Sequence, residues 1–179
     1  MRFSLSNPAI AALFLVVSFW SAPAAADGWR QLALAGLDGK SRPLADFIGR
    51  GQWVVVNIWG PKCPPCVEEM PELGSFHDEH AGHGAMVLGI ALDFPSFGYA
   101  KKDEVETFLD EYLIDFPVLL ADHTVYRDLT GRAQLKAVPT TLLYDREGQL
   151  VGEHVGTLTQ AGLESYLKQR DPDMKARLE

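Results

Sequence analysis

The chain contains two cysteines, Cys63 and Cys66, which share the segment NIWGPKCPPCVEEMPEL. A Cys-x-x-Cys pair can bind a metal, close a small structural disulfide, or exchange electrons by forming and breaking that disulfide. A β-branched apolar run leads into the pair and a helical pattern follows it, so we expect Cys63 at the N-terminus of a helix. The partial positive charge there stabilises a thiolate and lowers its pKa, which favours Cys63 as a nucleophile.

Pro64 and Pro65 separate the two cysteines, and neither has an N–H group. The nearest donors left for the Cys63 sulfur are therefore the backbone N–H and the thiol of Cys66. Proline also fixes φ in the first helical turn, which holds the cysteines close enough to bridge. Because a residue before a proline avoids the α region, Pro64 can lie outside the helix. Further along, Pro71 is expected to kink it.

Two alternatives to redox chemistry remain open at this stage. A structural zinc site usually has four Cys or His ligands, and the chain has no second Cys-x-x-Cys. His77, His80 and His83 follow at three-residue steps, but we expect them about four helical turns, or roughly 20 Å, from the cysteines. We therefore predict no metal site. A purely structural disulfide would close a minimal loop and would contribute little stabilisation.

The elements that must position the cysteines follow from the apolar patterns of the chain. Strands alternate with helices, which predicts a parallel portion of the sheet, and a late hairpin turned by Arg146, Glu147 and Gly148 makes the sheet mixed. The fold class is therefore α/β, with a mixed central sheet and helices on both faces. Strands are predicted at 52–60, 85–93 and 116–122 and a short pair around Asp38–Gly39; helices at 65–79, 101–114, 124–131 and 159–170; and a frayed tail at 171–179.

The first 26 residues have the pattern of a secretory signal peptide. Arg2 is the one charge before Asp27, Ala9–Trp20 is a 12-residue apolar run, and Ala24 and Ala26 occupy the positions of an A-x-A cleavage site. The apolar run is shorter than the roughly 20 residues that a membrane-spanning helix needs. We predict a cleaved signal peptide, with an uncleaved membrane anchor as the alternative.

Residues 27–179 are predicted to form a single domain in the periplasm or another extracytoplasmic compartment. The whole chain carries a net charge of −8, and the loss of Arg2 with the signal peptide makes it −9. Nucleic acids and anionic membrane surfaces both attract basic patches. The acidic balance therefore favours neither as a partner.

The pattern W-G-x-x-C-P-P-C-x-x-E-x-P, with V-P-T-T far along the chain, resembles the thioredoxin superfamily. More narrowly, it resembles the extracytoplasmic thiol–disulfide oxidoreductases of the TlpA, ResA and DsbE type, over roughly residues 30–168. The resemblance implies a thioredoxin-like fold with a redox-active Cys63–Cys66 disulfide. Cys63 would attack the partner, and Cys66 would resolve the mixed disulfide.

The resemblance also implies a role for an acidic residue. Glu69 matches the family's active-site glutamate, which would exchange a proton with Cys66 and would have to be partly desolvated for that purpose. The alternative is that Glu69 only complements the helix dipole. Asn57 stands where thioredoxins proper carry a buried acid, and Lys62 stands where many relatives have a tryptophan.

A partner-binding edge follows from the same resemblance. Pro139 matches the cis-proline that faces the cysteine pair, and the backbone of Val138 would pair with an extended partner segment. Thr140 and Trp59 complete the predicted substrate-binding residues. For Trp59 the alternative is packing beside the motif.

The function that the resemblance implies is protein-disulfide reduction without a cofactor. The partners would be an oxidised protein, with apocytochrome c as a candidate, and a membrane protein that supplies electrons through thiols. A thiol oxidase of the same fold is one alternative. Another is a copper-binding chaperone that uses Cys63, Cys66 and a histidine such as His123, since copper(I) favours thiolates.

Overall fold

The structure is a computed structural model that describes residues 28–93 and 101–178. The predicted signal peptide lies outside these residues, as does the segment 94–100, whose aromatic, Gly- and Pro-rich sequence predicts a loop. Within the described part of the chain, no helix is both long and apolar enough to cross a membrane.

A single mixed sheet of seven strands forms the centre of the described chain, as the apolar patterns predict. The strands are β1 (Ala33–Gly36), β2 (Ser41–Pro43), β3 (Trp53–Trp59), β4 (Ala85–Asp93), β5 (Val118–Asp122), β6 (Thr140–Tyr144) and β7 (Leu150–Val155). Their order in the sheet is β2-β1-β5-β4-β3-β6-β7, with β3, β4 and β5 parallel and the other pairs antiparallel.

Helices cover both faces of the sheet, and the bounds of the first four helices are close to the predicted ones. They are α1 (Pro64–His80), α2 (Lys102–Glu111), α3 (Val125–Thr130), α4 (Gln160–Arg170) and α5 (Pro172–Leu178), with short 3-10 turns at Gly28–Gln31 and Leu44–Asp46. Helix α3 ends at Gly131, whose φ of +68° suits glycine. Helix α1 continues through Pro71 without interruption.

The prediction of a frayed C-terminal tail is wrong, because this segment forms helix α5. Met174 is fully buried in the core that α5 covers. The Asp171 carboxylate accepts hydrogen bonds from the first-turn N–H groups of Asp173 and Met174 and from the Trp53 indole and the Arg146 guanidinium. These long-range partners are not visible in the local pattern of the tail.

Strand β3 divides the interior into two apolar clusters, because successive side chains point to opposite faces. Val54, Val56 and Ile58 pack on the face that α3 and the 3-10 turns cover. Val55 and Trp59 pack on the other face, with α1, α2, α4 and α5. All seven residues of β3 are buried, so the strand that leads toward the cysteines is fixed on both sides.

The sheet register brings two distant segments together beside the cysteines. Strand β3 ends at Trp59, four residues before Cys63, and its antiparallel neighbour β6 begins at Thr140. In that pairing Ile58 lies opposite Thr140. The residues just before β6 therefore lie at the same sheet edge as the start of α1.

Candidate active site

Cys63 and Cys66 are joined by a disulfide at the start of α1. Cys63 is the N-cap of the helix, with extended backbone angles (φ −102°, ψ 106°), and Pro64 is the first helical residue. Cys63, which precedes Pro64, is extended as the residue before a proline should be. Pro64 lies inside the helix although it precedes Pro65, so the expectation that it lies outside is wrong. The Cys66 N–H points at the Cys63 sulfur at 3.4 Å, as expected with two prolines between them.

The Val138–Pro139 segment lies against the disulfide. The peptide bond between these residues is cis, as the resemblance implies. The Cys63 sulfur lies 3.6 Å from the Val138 carbonyl oxygen. A disulfide sulfur has no hydrogen to donate, so this is a contact in the oxidised protein; a Cys63 thiol at the same place could donate to that oxygen.

Of the predicted substrate-binding residues, Val138 is the one with a partly exposed side chain. Pro139 and Thr140 are buried, and the Thr140 hydroxyl donates to the Ala137 carbonyl at 2.7 Å. The Thr140 side chain therefore fixes the turn before β6. Trp59 is fully buried and packs against Phe108 with ring centroids 4.9 Å apart, which fits the packing alternative for this residue.

Glu69 is a buried carboxyl on α1, about one helical turn beyond Cys66. Its side chain is 1% exposed, and its two oxygens accept from Asn57 Nδ2 at 2.8 Å and from the Leu158 N–H at 2.9 Å. Burial raises the pKa of Glu69 from 4.5 to about 7, although both hydrogen bonds act to lower it. Glu69 is therefore desolvated, as expected for a group that exchanges a proton with Cys66.

Asn57 supports Glu69 from the central strand. Its Nδ2 group also lies 3.1 Å from the Thr141 hydroxyl, while its Oδ1 has no hydrogen-bond partner among the described residues. A buried amide oxygen without a partner costs about 1–3 kcal/mol. The sequence singled out Asn57 but not Thr141 or Leu158, which reach the site only through sheet pairing and the approach of the segment before α4.

Lys62 forms an ion pair that the sequence did not reveal. Its ammonium lies 2.8 Å from the carboxylate of Glu104 on α2, and this hydrogen bond lowers the pKa of Glu104. Both side chains are substantially exposed. The cation next to Cys63 is therefore partly neutralised by a residue 42 positions away.

The three histidines after the motif serve separate contacts. His77 accepts from the Val87 N–H at 3.1 Å, His80 lies 3.2 Å from Glu164, and His83 is exposed. Among the described residues, one group offers three metal-ligating atoms close together, namely Glu79, His80 and Glu164. It contains no cysteine and does not include His123.

The Gln160 amide already lies between the two acidic members of that group. It donates to Glu79 at 2.7 Å and to Glu164 at 2.9 Å. The carboxylates are thus satisfied by a protein donor.

A Cys-x-x-Cys disulfide at a helix N-terminus, next to a cis-proline at the same edge of a mixed sheet, defines a thiol–disulfide oxidoreductase of the thioredoxin fold. Comparison with known proteins agrees. The AhpC/TSA family model matches residues 26–152. The chain is 29% identical over 140 residues to the thiol-disulfide oxidoreductase ResA of Halalkalibacterium halodurans, covering 78% of this chain and 73% of that one.

Two further similarities point the same way. The chain is 32% identical over 136 residues to ResA of Bacillus anthracis, covering 76% of this chain and 72% of that one. The solved structure of a secreted thiol-disulfide isomerase from Corynebacterium glutamicum shares the fold, with a TM-score of 0.66, 23% identity, and coverage of 80% and 83%. The chain belongs to the AhpC/TSA family, among its thioredoxin-like, ResA-type thiol–disulfide oxidoreductases.

Proposed function

We propose that this oxidoreductase works outside the cytoplasm as a protein-disulfide reductase, with Cys63 as nucleophile, Cys66 as resolving thiol and Glu69 as proton acceptor. The observation that carries the assignment of roles is the buried Glu69 carboxyl, whose pKa is raised to about 7 one turn beyond Cys66. A carboxyl with such a pKa can both take and return a proton near neutral pH. A glutamate that only complemented the helix dipole would need no burial.

The reaction begins with the reduced protein. The Cys63 thiolate attacks one sulfur of the partner's disulfide, that disulfide breaks, and the released partner thiolate takes a proton from solvent. Cys66 then gives its proton to the Glu69 carboxylate, and its thiolate attacks the Cys63 sulfur. The second partner sulfur leaves as a thiolate and is protonated. The partner gains two electrons, and the protein ends in the disulfide form seen here.

A reductase outside the cytoplasm needs a source of electrons, because that environment is oxidising. The proposed source is a membrane protein that donates electrons by thiol exchange, so that no cofactor is required. The proposed substrate is an oxidised extracytoplasmic protein, with the haem-binding cysteines of apocytochrome c as the first candidate. The predicted signal peptide supports this location.

The test is trapping in the native host with Cys66→Ser. This variant is expected to accumulate a mixed disulfide through Cys63, which identifies the partner by mass spectrometry. Cys63→Ser and the double variant are the matched controls, and neither should trap anything. Normal turnover by Cys66→Ser would overturn the assignment of roles.

Equilibration with glutathione decides the direction of electron flow. Thioredoxin-like potentials extend from about −270 to about −120 mV. A value near the lower end is expected for a reductase. A value near −120 mV would instead support the thiol oxidase alternative.

A copper(I) titration tests the chaperone alternative. We expect no tight stoichiometric binding beyond that of a cysteine-blocked control. Tight binding together with no disulfide reduction would favour the chaperone.

A further inference from the structure

Asn57 joins the central sheet to the Glu69 carboxylate. The Nδ2 group reaches Glu69 Oε1 at 2.8 Å and the Thr141 hydroxyl at 3.1 Å. Asn57 lies directly opposite Thr141 in the β3–β6 register and opposite Gly89 in the β3–β4 register. Asn57 and Thr141 are fully buried, so the two paired strands hold the Asn57 backbone in place, and the Thr141 hydroxyl is a hydrogen-bond partner for its amide.

The surroundings of Glu69 are otherwise uncharged in the described structure. From β3, β6 and the segment before α4, the groups near it are the amide of Asn57, the hydroxyl of Thr141 and the N–H of Leu158. On its own helix, Glu68 is exposed and Glu72 accepts from the Gln160 N–H. The titratable groups that join this environment on reduction are the two thiols of the active site.

The amide of Asn57 offers a donor and an acceptor on one rotatable group. An ionised Glu69 needs donors, which Nδ2 supplies in the observed arrangement. A protonated Glu69 must donate its O–H, and a half-turn of the amide would present Oδ1, which has no partner among the described residues. The Thr141 hydroxyl can accept from Nδ2 in the first arrangement and donate to Oδ1 in the second.

We propose that Asn57, anchored by Thr141, is the positioning residue that holds the Glu69 carboxyl in place while it takes up and gives back the Cys66 proton. This inference rests on the function proposed above. The Cys66 thiol becomes a thiolate as Glu69 becomes a carboxylic acid, and Glu69 then returns the proton to the departing partner thiolate. Leucine at position 57 would supply no donor, and aspartate would set a second carboxylate against Glu69.

The first experiment replaces Asn57 by leucine and titrates the Glu69 carboxyl by carbon-13 NMR in the oxidised protein. Loss of a donor to the charged form should raise the Glu69 pKa by about one unit. The pH at which the resolving step reaches half of its maximal rate should rise with the Glu69 pKa. Below that pH, the step should be roughly tenfold slower in the variant than in the wild type. Val56→Ala is the matched control, because Val56 is adjacent to Asn57 on β3 but lies on the opposite face. It should change neither the Glu69 pKa nor the pH midpoint of the resolving step.

The second experiment separates positioning from a structural effect. In a Glu69→Gln background, Asn57→Leu should cause no further change in the rate of the resolving step, because Asn57 acts through the carboxyl. The inference is overturned if Asn57→Leu leaves the Glu69 titration unchanged, or if it slows the step equally in both backgrounds. Should Asn57→Leu fail to fold, Thr141→Val replaces it, with a smaller shift expected in the same direction.

The two proposals can fail separately. A wild-type protein that exchanges no disulfides would contradict the proposed function. The Glu69 titration in Asn57→Leu or Thr141→Val would still decide whether Asn57 holds the carboxyl.

Discussion

At Glu69, burial and hydrogen bonding act in opposite directions on one carboxyl, and burial prevails. Desolvation raises the pKa to about 7, whereas the bonds from Asn57 and the Leu158 N–H favour the ionised form. Because the pKa in the folded protein lies above the ordinary 4.5, the folded protein binds more protons than the unfolded chain between these values. Glu69 therefore favours folding most below pH 4.5, and this contribution is lost as the pH rises through 7.

Glu69→Gln should remove this pH dependence. As the pH rises from below 4.5 to above 7, the free energy of unfolding should fall by up to about 3 kcal/mol more in the wild type than in the variant. Urea denaturation of the oxidised proteins across this range measures the difference in slope. Glu68→Gln, at the exposed neighbouring position, should behave like the wild type. Parallel curves for wild type and Glu69→Gln would show that the carboxyl titrates normally.

Among the elements, α5 is attached to the domain by the buried Met174 side chain and by the Asp171 carboxylate at its start. Burial alone would raise the Asp171 pKa, but the bonds from Trp53, Arg146 and the two first-turn N–H groups outweigh it and lower the pKa to about 2. The stabilisation from this carboxylate is therefore present above pH 3.8 and is lost as the pH falls toward 2.

Asp171→Asn should lower the free energy of unfolding by about 2 kcal/mol at neutral pH, because a partly buried set of charge-assisted bonds is broken. In this variant the backbone amides of α5 should also lose more protection against hydrogen exchange than those of α4. Asp173→Asn changes an exposed acid at the same helix start and should have little effect. Unchanged protection of α5 in Asp171→Asn would contradict the attachment described here.

The pairing of α2 with the active-site turn is a second link between elements. Glu104→Gln should leave the Lys62 ammonium without its partner, so that its charge acts more fully on the nearby Cys63 thiolate. The titration midpoint of the Cys63 thiol should fall by a few tenths of a unit, roughly, because the pair is exposed and screened by solvent. Thiolate absorbance measures the midpoint.

A matched control lies on the same helix. Glu106 forms an exposed pair with Lys102, and Glu106→Gln should leave the midpoint unchanged. An equal shift in both variants would indicate a general charge effect rather than the Lys62–Glu104 contact.

The residues that the sequence could identify are those whose role depends on local spacing. Cys63, Cys66 and Glu69 lie within two helical turns, and the apolar runs predict the strands around them. The sequence also singles out Asn57, but the hydrogen bonds of Asn57 to Glu69 and Thr141 depend on tertiary packing and on the register of β3 with β6. The prediction for the C-terminal tail is wrong for the same reason, since Asp171 at the start of α5 is bonded to Trp53 and Arg146, which lie far away in the chain.

For the molecule as a whole, the reduction potential depends on how much folding stabilises the oxidised protein compared with the reduced protein. The disulfide lies in the main apolar cluster, with both sulfurs fully buried. Folding therefore stabilises the oxidised and the reduced forms by different free energies, and this difference shifts the reduction potential of the cysteine pair. For this two-electron couple, about 30 mV corresponds to 1.4 kcal/mol. A strong oxidant has a potential raised by a fold that stabilises its dithiol form, and a reductase has the opposite balance.

If the protein is a reductase, its oxidised form should be the more stable one. Urea denaturation of the oxidised and reduced proteins at one pH gives the two free energies of unfolding. Their difference gives the shift of the reduction potential relative to that of the cysteine pair in the unfolded chain. Cys63→Ser with Cys66→Ser supplies the control, since reductant should not alter its stability. A reduced form more stable than the oxidised form would place the chain with the thiol oxidases, whatever partner is trapped. The sign of this difference therefore shows whether folding makes the Cys63–Cys66 pair more or less reducing than the same pair in the unfolded chain.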